Sequence, residues 1–103
     1  MEDILYKIAI TQIPKVGAVT AKNLVSYCGG VAAVFQTSRR ELMRVPGVGE
    51  RIADNILRGD YLERAEQELN FIEKNDIQPI FYLDAAYPER LRHYNDSPIM
   101  LYC

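Results

Sequence analysis

The chain has few of the side chains that carry chemistry. Its 103 residues include one histidine, His93, and two cysteines, Cys28 and Cys103, far apart and without a His or Cys at ligand spacing. Structural metal sites need clustered ligands and disulfide scaffolds need paired cysteines, so neither a metal, a cofactor nor a disulfide framework is expected. No apolar run approaches the ~18 residues that mark a membrane span. Met1-Glu2-Asp3 is acidic and no small-residue cleavage site follows it, so no secretory leader is expected and the cytoplasm fits best. His93 lies in a polar stretch beside Arg92 and Tyr94 and reads as a surface histidine. No carboxylate pair combines with a nucleophile in a recognisable arrangement, so the chain is not expected to be an enzyme.

Acidic residues are missing where basic ones are concentrated. From Ile4 to Arg40 there are five bases (Lys7, Lys15, Lys22, Arg39 and Arg40) and no acid. Residues 4–58 carry a net +5 and residues 59–103 a net −5, within an overall charge of −2. A small overall negative charge argues against a strong nucleic-acid binder. The segregation points instead to a phosphate-facing first half joined to an acidic helix that faces elsewhere; a solvated surface with chance clustering is the plain alternative.

An internal repeat organises the first half. Ile13-Pro14-Lys15-Val16-Gly17, leading into Ala18 to Val25, aligns at an offset of 32 residues with Val45-Pro46-Gly47-Val48-Gly49, leading into Glu50 to Leu57. Pro, Val, Gly, Ala and Asn recur at matched places, and the other apolar positions mostly agree in type. Each copy reads as an incoming helix, a proline that stops it, a glycine-containing turn and a second helix. The first copy's stripe is Ala21, Leu24, Val25 and Cys28, which places Cys28 in the core; the second copy's is Ile52, Ala53 and Ile56, with Leu57 beside them. Ile4, Leu5, Ile8 and Ile13 mark the helix entering the first turn. Between the copies, Gly29-Gly30 stops a helix and Val31 to Phe35 form a short helical turn. Ser38-Arg39-Arg40-Glu41 has capping-box spacing.

Gly59 breaks the chain again. Asp60-Tyr61-Leu62-Glu63 is a second capping-box spacing, opening a helix to about Asn75 with stripe Leu62, Ala65, Leu69 and Ile72. Glu63, Glu66, Glu68 and Glu73 then face mostly outward. Two short apolar segments follow, Ile77 to Leu83 and Ile99 to Cys103, both strand-like. The intervening stretch of about fifteen residues suits a crossover between parallel strands. An unpaired apolar strand at a chain end is an aggregation edge, so the sequence reads as a piece of a longer domain. The expected organisation is mainly α: a tandem of helical hairpins over residues 1–76, then the truncated α/β start of a second domain over residues 77–103.

Val45-Pro46-Gly47-Val48-Gly49 is the motif with chemical content. Glycines permit positive φ and close backbone approach. Successive amides in such a turn form an anion nest, and the helix that follows adds unpaired N–H groups and its positive dipole end. The candidate phosphate contacts are Gly47, Val48, Gly49 and Arg51 in the second hairpin, and Lys15, Gly17 and Lys22 in the first. The first hairpin is the weaker nest, because Lys15 stands where the second has Gly47. Glu50 stands where it repels a phosphate. A turn that merely packs two helices remains open beside the phosphate-binding one.

The Pro-Gly-Val-Gly segment and its partner resemble the helix-hairpin-helix superfamily, whose paired form contacts DNA backbones. The tail, with Asp84-Ala85-Ala86-Tyr87-Pro88-Glu89-Arg90-Leu91 and then Asp96-Ser97-Pro98-Ile99-Met100-Leu101-Tyr102, resembles the start of the central domain in the DprA (Smf) family. Together these resemblances imply a tandem helix-hairpin-helix (SAM-like) domain over residues 1–76 and the truncated start of a Rossmann-like domain over residues 77–103, in a non-enzymatic DNA-processing protein of natural transformation. Such proteins bind single-stranded DNA and help load RecA, through a Gly-Ser-Arg-type loop and through dimer and RecA surfaces that this sequence does not contain. The fragment itself would be an accessory domain with weak backbone contacts to DNA. Two other roles stay in view: a structural or protein-interaction domain without DNA binding, and a piece of a DNA-repair enzyme. A glycosylase of this superfamily would need a larger helical body than this chain supplies. Tyr87-Pro88 reads as a structural bend.

Overall fold

The computed structural model describes residues 2–103. The chain opens with α1 (Glu2–Gln12). Ile8, Ala9 and Ile10 are consecutive and all fully buried, which a helix achieves only when it is covered on every side. The helix expected from Ile4, Leu5, Ile8 and Ile13 is present, with Ile13 buried just past its end. Pro14 blocks continuation of this helix, and α2 (Ala18–Cys28) leaves from Gly17 with Ala21, Leu24 and Val25 inward. Gly29 closes α2 in the left-handed region, φ 91°, with its N–H on Val25 O at 3.1 Å. Cys28 is half-buried: it packs against the core cluster, as its place on the stripe suggests, and also lines a surface cleft beside Tyr27.

Two short helices connect the repeats, α3 (Val31–Val34) and α4 (Arg39–Leu42). Ser38 Oγ caps α4 by accepting from Glu41 N at 3.3 Å, while the Glu41 carboxylate pairs with Arg44 at 3.3 Å. The second hairpin leads into α5 (Glu50–Arg58), with Ile52, Ala53 and Ile56 buried. Gly59, φ 76°, then turns the chain into α6 (Asp60–Lys74), which packs along α1. The expected cap from the Asp60 side chain lies outside the described residues; by backbone, Gly59 holds the N-cap position. Tyr61, Ala65 and Ile72 of α6 are buried, and Leu62 and Leu69 of the expected stripe are half-buried; Glu63, Glu66 and Glu73 are exposed as expected, while Glu68 is half-buried.

The tail corrects one prediction. Strands β1 (Pro79–Phe81) and β2 (Met100–Tyr102) pair antiparallel, not parallel, with Ile80 opposite Leu101. Reciprocal Gln78–Cys103 bonds of 2.9 and 3.0 Å extend the ladder at one end, and Tyr82 N to Ile99 O at 2.9 Å extends it at the other. A parallel return needs a crossover that carries the chain back along the sheet, usually a helix. Residues 82–99 contain only a five-residue 3₁₀ helix, Glu89–His93, and the segment folds on itself. The Asp84 carboxylate accepts from Phe81 N at 2.8 Å, and Tyr87 Oη donates to Pro98 O at 2.6 Å. Arg92 donates to the carbonyls of Tyr82, at 2.8 Å, and Asp84. The loop's ends therefore meet side by side, and the strands run oppositely. Tyr87-Pro88 is the bend expected of it: Tyr87 is buried and Pro88 starts the 3₁₀ turn. Phe81, Ile99 and Met100 join the buried cluster that also holds Ile8, Leu24, Leu42, Ile56 and Ile72.

Candidate nucleic-acid interface

The two hairpins repeat in three dimensions what they repeat in sequence. Val16 N donates to Ile13 O at 3.2 Å, and Val48 N to Val45 O at 3.0 Å. Gly17 and Gly49 have nearly the same extended backbone, φ/ψ of −86/−174° and −98/−174°. The first helical bonds also match, Ala21 N to Gly17 O at 2.9 Å and Ala53 N to Gly49 O at 3.0 Å. Lys15 takes φ 69° where Gly47 takes 88°. The lysine thus adopts the left-handed geometry that its side chain made doubtful, and the first turn is as tight as the second.

Each turn delivers a helix N-terminus. The N–H groups of Ala18, Val19 and Thr20, and of Glu50, Arg51 and Ile52, precede the first intrahelical acceptors and have no partner within their helices. Gly17 and Gly49 are exposed, and a Cβ at either would meet nothing within 4 Å. The backbone is open to an approaching anion at both places.

The hairpins also brace one another. A Cβ on Gly47 would lie 3.0 Å from Thr20 Oγ1 on α2, so a larger residue here would press on Thr20 as well as strain the positive φ. Asn23 Nδ2 donates to Pro46 O at 3.3 Å. The SAM-like helix-hairpin-helix tandem family matches residues 7–59, just over half of the chain. The chain belongs to that family.

Other similarity is narrow. A segment of 47 residues is 40% identical to UvrABC system protein C of Pseudoalteromonas atlantica. That segment is 46% of this chain and 8% of that protein, so the chain spans a small fraction of the relative it matches. No solved structure matches the chain.

Within this helix-hairpin-helix tandem the expected contact residues separate into two groups. Gly47, Gly49 and Arg51 line the second turn and the start of α5, with Arg51 exposed; Lys15 and Gly17 line the first turn, with Lys15 exposed. Val48 is different. Its side chain is buried and its N–H is held by Val45 O, so neither is offered to a phosphate. Lys22 is different too. Its ammonium donates to Tyr94 O at 3.3 Å, Asn95 O at 3.1 Å and Ser97 Oγ at 2.9 Å, and lies over the Tyr82 ring, 5.4 Å from the centroid. Burial pushes its pKa below the usual lysine value, against the opposing charge of Asp96.

Charge follows the same division. Lys7, like Lys22, turns to the tail, pairing with Asp84 at 3.6 Å and lying 5.1 Å from the Phe81 ring centroid. Arg39 reaches α5, at 2.7 Å from Asp54 Oδ1 and 3.7 Å from Glu50 Oε1. The Asp54 hydrogen bond, then its charge, hold the Arg39 guanidinium more firmly protonated. The positive half expected to face phosphates is therefore partly neutralised from within. Arg39, Thr20 and Asn23 join the hairpin pair without having been expected from the sequence. The recurring asparagine, Asn23 matched by Asn55, was the available signal for the bridge to Pro46. Among the described residues, no three His, Cys, Asp or Glu side chains converge as metal ligands, and no helix is long and apolar enough to cross a membrane.

Proposed function

We propose that this domain is a non-catalytic DNA-backbone module. The observation that carries the proposal is the matched pair of turns, each ending in an exposed glycine and a helix start with unbonded N–H groups. Oriented amides and a helix dipole favour a phosphate without reading bases. Lys15 and Arg51 add exposed charge, one beside each turn. Contacts limited to a few phosphates make binding weak and non-specific.

Within a whole protein, the tail's resemblance to the DprA (Smf) family supports a cytoplasmic DNA-processing role in natural transformation. Single-strand protection, RecA contact and self-association then belong to other parts of such a protein. The similarity to UvrABC system protein C favours a second context, a component of a system of that kind. The backbone chemistry of the hairpins is the same in both.

Fluorescence-anisotropy titration with labelled single- and double-stranded DNA at several salt concentrations tests the module. Two to four phosphate contacts predict a log–log salt slope of about −2 to −4. Replacing Gly49 and Arg51 together, Gly49→Ala with Arg51→Ala, should remove most of the binding while the circular dichroism spectrum is kept. Absence of binding at low salt would leave the hairpins as a brace between helices, the role that the Gly47–Thr20 and Asn23–Pro46 contacts already serve.

A further inference from the structure

A second cleft lies where α2 meets the tail. It holds about 240 Å³ and is lined by Lys22, Tyr82, Leu83, Tyr87, Arg92 and Tyr94, among others. Drug-sized pockets begin at ~300 Å³, so this one suits a single ring system. Its walls are aromatic and its base is cationic. Lys22 lies over the Tyr82 ring, and the Arg92 guanidinium lies 5.5 Å from the Tyr87 ring centroid.

Both cations are already hydrogen-bonded. Lys22 binds three oxygens, and Arg92 binds the carbonyls of Tyr82, Asp84 and Tyr87 and pairs with Glu89 at 3.3 Å. Glu89 and Asp96 offset part of their charge, and few donors remain with which to read a ligand's edge. Tyr94 is the reverse. Its backbone is fixed, with N on Leu91 O at 3.2 Å and O accepting from Lys22 Nζ, Ser97 N and Ser97 Oγ. Its side chain is free, the residue being 62% exposed. An exposed ring on a fixed backbone, lining the same cleft as two other tyrosines and two cations, is a platform on which nucleobases stack without sequence preference.

The cleft is also close to a hairpin. Lys22 is five residues along α2 from Gly17, a rise of about 7.5 Å at 1.5 Å per residue. We infer that the Tyr94 cleft accepts one unpaired base of a single DNA strand whose phosphate is held at the Gly17 turn. A paired base in a duplex has its faces covered by its neighbours and cannot enter. The inference rests on the DNA-binding proposal for the hairpins and adds single-strand preference to it.

Anisotropy with labelled (dT)12 and a 12-base-pair duplex tests it. Tyr94→Ala should weaken (dT)12 binding about tenfold, the scale of one lost stacking contact, and leave duplex binding unchanged. Tyr94→Phe should bind like the parent. The chain has no tryptophan, so quenching of tyrosine emission by (dT)4 provides a second readout, which Tyr94→Ala should diminish. Equal (dT)12 affinity for the parent and Tyr94→Ala, or equal loss on both DNAs, would overturn the inference, as would no binding of (dT)12 at all. Tyr94-dependent binding of (dT)12 without any duplex binding would keep the cleft and remove the hairpin proposal.

Discussion

Lys15 and Gly47 occupy the same turn 32 residues apart, and both hold a left-handed backbone, φ 69° and 88°. Glycine takes this conformation freely, whereas an L side chain there costs roughly 1–2 kcal/mol. Lys15→Gly should therefore raise unfolding free energy by about 0.5–1 kcal/mol, the strain relieved less the entropy that glycine restores to the unfolded chain. Urea melts measure it. The same variant should weaken DNA binding at low salt, since it removes an exposed charge beside the turn. A gain in stability with a loss in affinity would mark strain kept for function.

Glu50 should show the opposite pairing. Its carboxylate is in the first turn of α5, favourable for the helix dipole but unfavourable for an incoming phosphate. Glu50→Gln should raise DNA affinity several-fold at low salt, an effect that high salt erases. Stability should fall by roughly 0.3–1 kcal/mol. Paired titration and melting of the one variant check both signs.

The repeat holds in the core at one register and fails at the next. Leu24 and its counterpart Ile56 are both fully buried, while Val25 is buried and its counterpart Leu57 is 43% exposed. Leu24→Ala and Ile56→Ala should each cost about 2–5 kcal/mol, and Leu57→Ala less than about 0.5 kcal/mol. Denaturant unfolding of the three variants decides whether the asymmetry is real.

Alkaline pH should loosen the tail. Burial raises the Tyr102 hydroxyl above its usual value near 10, with the charge of Glu68 adding to this and the Thr11 hydroxyl acting against it. Tyr82 is raised by burial alone. The folded chain keeps protons that the unfolded chain releases, so this stability is complete below pH 10 and is lost as pH rises through the folded pKa. Lys22, lowered from 10.5, contributes in the other direction. Subtracting the pH profile of Tyr102→Phe from that of the parent cancels the lysine and should leave a difference that begins near pH 10.

Much of the helical half was legible because it repeats. The prolines, turn glycines and apolar spacings located both hairpins, and Ser38 and Gly29 cap helices as their types predict. The tail was less legible, since strand direction depends on the loop: the Asp84, Tyr87 and Arg92 bonds that fold residues 82–99 back on themselves run from side chains to main-chain groups at irregular separations and leave no periodic trace. Of the candidate contacts, the glycines followed from backbone rules. Lys22 was misjudged because a lysine's reach lets it cross from α2 to a segment more than seventy residues away. Val48 was misjudged because its amide closes the turn instead of facing out.

The Lys22 latch holds residues 94 and 95 by their carbonyl oxygens, and only Ser97 by its side chain. Every amino acid carries that carbonyl. The identities at 94 and 95 are thus decoupled from the fastening of the tail to α2, and a mutational scan of these positions would vary the surface of the cleft while leaving that fastening in place.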